Sequence, residues 1–179
     1  MSVTLASQRI FDTFSQSDKK VDALLHGHSY TAHPIGCEVA RETLKQIEAM
    51  RRDGAWKQEY ADWEQQGSEV VAGKEKEANV GPWSMWAQNA VMQLSRLERV
   101  DKVMALGTVL VVELKDMAGS GGYSSTASVD VLHKLRTAPE GPFAIHARPL
   151  GNVIYFMCSL NTPQDVRRKT ESALLSALQ

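Results

Sequence analysis

Three histidines, His26, His28 and His33, fall within eight positions of one another, and such clusters can hold a metal. Their spacing matches neither the His-Glu-x-x-His helix nor a zinc finger, and only Cys37 and Glu38 lie nearby, so no metal site is expected. Ser29 sits in Gly27-His28-Ser29-Tyr30-Thr31, which lacks the second glycine of a nucleophile elbow, so a serine nucleophile is not expected either. The segment suits phosphate better. Gly27 permits close backbone approach, and a hydroxyl beside backbone N–H groups can donate to phosphate oxygens. Pro34 marks the start of a helix whose positive end would lie close by. A plain cap, with Ser29 and Thr31 serving only the helix, is the competing account, and physics alone leaves the two even. Near the other end stands Arg148, followed by Pro149-Leu150-Gly151. A guanidinium offers a planar fork that a carboxylate can meet with two hydrogen bonds. On its own, a solvated turn residue is the simpler account of Arg148.

Helices and strands must position these groups. Val3 to Ala6 reads as a short strand, and Ser7 as a cap for a helix over Gln8 to Phe14. From Pro34, the residues Ile35, Val39, Leu44, Ile47 and Met50 recur at helical spacing, predicting a long amphipathic helix that ends near Gly54. Asp53 to Asn79 is polar apart from Trp56, Tyr60 and Trp63, and reads as a loosely packed insertion with a loop over Gly67 to Lys76. Trp83, Trp86, Ala90, Val91, Leu94 and Leu97 form a second helical stripe. Val103 to Leu114 reads as one strand buried on both faces, interrupted after it by Gly119 to Gly122. A helix is expected over Ser128 to Leu135, then strands over Phe143 to Ala147 and Asn152 to Met157 joined by a turn at Arg148 to Gly151. Thr162-Pro163 opens a last helix with Val166, Thr170, Ala173, Leu174 and Ala177 inward and Arg167, Arg168 and Lys169 outward. The class is α+β: a small sheet with helices over one face.

The whole chain narrows the choices further. Its 179 residues suffice for a real core, and a formal net charge of -1 gives no electrostatic case for nucleic acid or an acidic membrane. No stretch approaches the length of a membrane span, and no signal peptide is visible. Cys37 and Cys158 have neither metal-ligand nor redox spacing and read as free thiols in a reducing compartment.

The segment His26-Gly27-His28-Ser29-Tyr30-Thr31-Ala32-His33-Pro34-Ile35-Gly36-Cys37 resembles the His-Gly-x-(Ser/Thr)-(Tyr/Phe)-x-(Gly/Ala)-(His/Asn)-Pro-x-(Ala/Gly)-Cys segment of class III, fold-type I aminotransferases. The stretch Phe143 to Tyr155 resembles the Arg-Pro-x-Gly-x-(Val/Ile)-(Ile/Leu)-Tyr hairpin of one branch, the 7,8-diaminopelargonate aminotransferases of biotin synthesis. Val100 to Lys115 and Ser120 to Tyr123 look most like the eukaryotic form, in which a dethiobiotin synthetase precedes the aminotransferase. The resemblance implies pyridoxal 5'-phosphate as cofactor, with Ser29 and His28 at its phosphate across a homodimer interface and Gly27 near the substrate. It implies that Arg148 binds the carboxylate of the amino-oxo-nonanoate substrate, that S-adenosylmethionine donates the amino group, and that the eukaryotic enzyme is mitochondrial (otherwise cytoplasmic, not secreted). It also implies a division into residues 1–32, a remnant of the large cofactor-binding domain, and residues 33–179, a linking helix with the small C-terminal domain.

One requirement is unmet. The chemistry needs a lysine that holds the cofactor covalently and moves the proton. In the family it lies in a Lys-x-x-(Thr/Gly)-Gly-Gly-x-x-Pro stretch upstream of the phosphate segment, and these 179 residues contain no such stretch. Lys19 and Lys20 sit in a polar loop and match no family lysine. The expectation is therefore that Met1 is internal to a longer protein, that the chain carries no catalytic residue of its own, and that alone it is inactive. Two other readings stay open: a non-catalytic relic or partner-binding domain, and a generic ω-amine transaminase, against which Arg148 in its hairpin argues.

Overall fold

The computed structural model describes residues 6–16, 19, 33–64, 82–116, 122–137 and 143–179. It divides into two compact units, Met1–Asp53 and Gly54–Gln179. The first contains α1 (Gln8–Phe14) and α2 (Pro34–Arg52), whose Pro34 occupies the first helical turn as the sequence requires. On the exposed side of α2, Glu38, Glu42 and Glu48 pair with Arg41, Lys45 and Arg51 three residues on. Exposed to solvent, such pairs contribute little to stability. The expected strand over Val3 to Ala6 lies largely outside the described residues.

The second unit is an antiparallel sheet with helices over one face. Its strands are β1 (Val100–Leu106), β2 (Val109–Leu114), β3 (Arg148–Leu150) and β4 (Val153–Met157), in the order β1-β2-β4-β3. The single long strand expected over Val103 to Leu114 is a hairpin. Gly107, at φ +54°, starts a two-residue connection between Leu106 and Val109, and glycine adopts that left-handed backbone without a steric penalty. Burial in β2 alternates: Leu110, Val112 and Leu114 are buried while Val109, Val111 and Glu113 are only partly so. One face, not two, meets the core. That face packs with Ile154 and Phe156 against α4 (Gln88–Ser95), α5 (Val129–Thr137) and α6 (Gln164–Leu178), through Leu94, Val131, Leu135 and Leu174.

Two other expectations shift. The tryptophan stripe is helical only from Gln88. Before it, Ser84 bridges Gly107, and the Met85 N–H donates to the Gly107 carbonyl at 2.8 Å. The polar stretch after α2, as far as it is described, is no loose insertion. It forms α3 (Lys57–Glu64), bracketed by buried Trp56 and by Trp63, which donate to the Leu160 and Trp86 carbonyls at 2.8 and 3.0 Å. A tryptophan combines a large apolar area with one donor, so a single carbonyl satisfies it once buried. Residues 65–81, including the expected loop, lie outside the described set.

Candidate functional site

The Arg148 hairpin differs from its expected form by a few residues. Phe143 to Ala147 is not a strand; the strand begins at Arg148, and the turn is Gly151-Asn152. Two features fix it. Gly151 sits at φ +63° with its α-carbon so near the loop before α5 that an added Cβ would lie 1.7 Å from the Gly122 carbonyl oxygen. Neighbouring Asn152 is buried and exchanges bonds with Leu114: its carbonyl accepts the Leu114 N–H at 2.8 Å, and its amide donates to the Leu114 carbonyl at 3.0 Å. Ser128 adds a bond from its hydroxyl to the Gly151 carbonyl at 2.8 Å. A short hairpin at a sheet edge thus becomes a rigid mount.

Arg148 is the first residue of that mount, on the outer strand, exposed, and among the described residues its guanidinium has no hydrogen bond or ion pair. It borders a cavity of about 580 Å³ between the 143–148 segment, the end of β4 and the first half of α6. Tyr155, His146, Ser159 and Thr162 supply polar lining, Ile145 and Phe156 apolar lining. Among the described residues no aspartate, glutamate or lysine lines it. A cleft with an unpaired guanidinium and no acid suits an anion attached to an apolar body.

A second arginine stands at the back of the cavity, and its charge is already met. Arg167, expected on the solvent side of α6, is buried; it donates to Glu59 of α3 at 2.5 Å and to the Met85 carbonyl. Glu171, one turn on, accepts from the Ala87 N–H at 2.8 Å and from Arg168 at 2.7 Å. The physical reason for the correction is the stripe Arg167, Glu171, Leu174, Leu178, which lies on one helical face and is buried throughout. That spacing was present in the sequence as a signal; charge alone concealed it. Burial raises the Cys158 thiol above its ordinary value, with the nearby Arg167 charge pulling it partly back.

The phosphate candidates Gly27, His28 and Ser29 lie outside the described residues. The start of α2, a few residues further along the chain, lies within them. There His33 caps the helix, its Nδ1 accepting from the Gly36 N–H at 3.1 Å, and the first turn carries no acidic side chain. The positive end of this 19-residue helix is therefore not neutralised by an acidic side chain of its own first turn. The Arg148 cavity has no lysine lining among the described residues, so nothing there would hold pyridoxal phosphate covalently. Among the described residues no group of histidine, cysteine and acidic side chains could hold a metal, and no helix is long and apolar enough to cross a membrane.

The fold has counterparts in solved structures. Over 96% of the chain it superimposes with a TM-score of 0.61 on 33% of an adenosylmethionine-8-amino-7-oxononanoate aminotransferase from Methanocaldococcus jannaschii, at 22% identity, a likeness of fold. The sequence goes further. The chain is 42% identical over 179 residues to a bifunctional dethiobiotin synthetase/adenosylmethionine-8-amino-7-oxononanoate aminotransferase of Emericella nidulans, covering 99% of this chain and 21% of that protein. Along nearly its whole length the chain is similar to proteins named as aminotransferases. A bifunctional dethiobiotin synthetase/7,8-diamino-pelargonic acid aminotransferase of Oryza sativa subsp. japonica, named as mitochondrial, is 38% identical over 166 residues, covering 92% of this chain and 17% of that one. No family model matches. The chain spans about a fifth of the length of these bifunctional aminotransferases.

Proposed function

We propose that the chain furnishes the substrate-carboxylate side of an aminotransferase that converts 7-keto-8-aminopelargonate to 7,8-diaminopelargonate, with S-adenosylmethionine as amino donor. The observation that carries this is Arg148: unpaired among the described residues, rigidly mounted, and facing a cleft without acidic lining. Pyridoxal phosphate, when bound, supplies the electron sink for moving the amino group. Residues 1–32 are assigned to the large cofactor-binding domain and 33–179 to the linking helix and small domain. In that arrangement Ser29 and His28 hold the phosphate from a second subunit of a homodimer, Gly27 lets the substrate approach, and Arg148 orients the keto acid by its carboxylate. The name of the rice relative supports a mitochondrial setting. A generic ω-amine transaminase has no use for a carboxylate anchor at this hairpin, which favours the first reading.

The test grafts the 179 residues in place of the matching segment of the Emericella nidulans relative and follows the two half-reactions separately by stopped-flow absorbance. Arg148→Ala should cost about 2–5 kcal/mol in the keto-acid half-reaction, the range for stranding a buried charge, and spare the donor half-reaction. Equal slowing of both, cured by excess cofactor, would remove Arg148 as the carboxylate anchor.

A further inference from the structure

Helix α5 bonds the Arg148 arm on both sides of the arginine. Three residues before Arg148, the Ile145 N–H donates to the Leu135 carbonyl in the last turn of the helix, at 3.2 Å. Three residues after it, the Gly151 carbonyl accepts the Ser128 hydroxyl at 2.8 Å. Ser128 stands immediately before α5 and is 1% exposed, and the Leu132 N–H donates to its carbonyl at 3.0 Å, which ties it to the first turn. The helix therefore runs antiparallel to the segment 145–151 as a splint: its start holds the turn and its end holds the approach. Val131, Leu132 and Leu135 fix the helix in the core, and Ala147, beside the exposed Arg148, is buried with them.

We propose that Ser128 is a positioning residue for Arg148: by holding the Gly151 carbonyl, its hydroxyl sets where the hairpin presents the guanidinium to the substrate. This rests on the reading of Arg148 as the carboxylate anchor. The strand that carries Arg148 is three residues long and pairs with β4 alone, so its ladder gives it little hold at the sheet edge. Asn152 ties the turn sideways to β2, and Ser128 ties it down to the helix layer, so the two bonds act in different directions. An alanine at this buried position would leave the Gly151 carbonyl without that donor. A guanidinium meets a carboxylate with two parallel bonds only over a narrow range of distance and angle. A displacement of about 1 Å that begins far from the chemistry is enough to be felt there.

The experiment places Ser128→Ala, Arg148→Ala, the two together, or Ser84→Ala in the chimeric enzyme and follows each half-reaction by stopped-flow absorbance. Ser84 is the control, a buried serine away from the hairpin whose hydroxyl donates to the Gly107 carbonyl at 3.0 Å. Expected in Ser128→Ala is a half-saturating keto-acid concentration raised about fivefold, with the maximal rate and the donor half-reaction unchanged. Ser84→Ala should leave keto-acid saturation as it was. The double variant should match Arg148→Ala, because a residue that acts only through Arg148 has nothing left to position. Additive losses in the double variant, equal slowing of both half-reactions, the same rise in Ser84→Ala, or parental saturation in Ser128→Ala would each overturn the positioning role while the anchor stands. If Arg148→Ala itself leaves keto-acid saturation unchanged, the anchor falls and this inference falls with it.

Discussion

Arg167 of α6 and Glu59 of α3 meet at 2.5 Å with both side chains buried, 4% and 6% exposed. Together with the Arg167 bond to the Met85 carbonyl, this pair binds α3 and the 84–87 segment to the last helix. A buried pair is no large net source of stability, because desolvation offsets most of the attraction, but breaking it strands a charge. Arg167→Ala should destabilise the second unit by about 3–5 kcal/mol. The double variant Arg167→Met with Glu59→Leu should recover most of that loss. Urea denaturation of the three proteins would check it; a double variant no better than the single one refutes the stranded-charge account.

Gly151→Ala tests the hairpin mount. The added methyl would sit 1.7 Å from the Gly122 carbonyl oxygen, against the Gly122–Tyr123 backbone, at φ +63°. Overpacking of this kind costs about 1–3 kcal/mol, and the positive φ adds about 1 kcal/mol more. Gly107→Ala makes the control, since an added Cβ there meets nothing within 4 Å and only the backbone strain applies. Equal midpoints for the two variants in a denaturant titration would show that the contact with Gly122 does not hold the hairpin.

Cys158 and Cys37 should react differently with a thiol reagent. Cys158 is half-buried and its thiol is raised by desolvation, whereas Cys37 is exposed on α2. At neutral pH Cys37 should label first, with Cys158 following only at higher pH or on unfolding. The sign for stability comes from linkage: the folded chain holds the Cys158 proton more tightly than the unfolded one. Its contribution is therefore complete below the ordinary thiol range and declines as pH rises through and above that range. Mass-resolved labelling against pH decides it, and simultaneous modification of both thiols at neutral pH is the contrary result.

Ser29→Ala in the chimeric enzyme should fail differently from Arg148→Ala. Losing one donor to a charged phosphate weakens cofactor retention by about 1.5–3 kcal/mol. Both half-reactions should slow together and recover when pyridoxal phosphate is raised. A defect confined to the keto-acid half-reaction would place Ser29 with the substrate instead.

The chain alone should self-associate at micromolar concentration. Ile35, Val39 and Leu44 on α2, and Phe11 on α1, are exposed apolar side chains in the first unit, and patches of that kind seek cover. Sedimentation velocity showing a concentration-independent monomer would contradict this.

Periodicity and local chemistry placed α2 at Pro34, the last helix after Pro163, the α+β class, and Arg148 on a glycine-turn hairpin. These are features of short range: a helical repeat, a fixed proline φ and a left-handed glycine act within a few residues, so the chain records them locally. The family segments around Ser29 and Arg148 were legible for the same reason. Every choice made by distant partners, in contrast, needed the tertiary structure. Gly107 turns one apolar run into a hairpin because β4 pairs with its second half and the Trp83–Met85 segment bonds Gly107 itself. Arg167 turns inward because Glu59, 108 residues away, meets its charge. Tyr155 stands beside Arg148 because a two-residue turn sets the register, and a slip of one residue would send it to the opposite face.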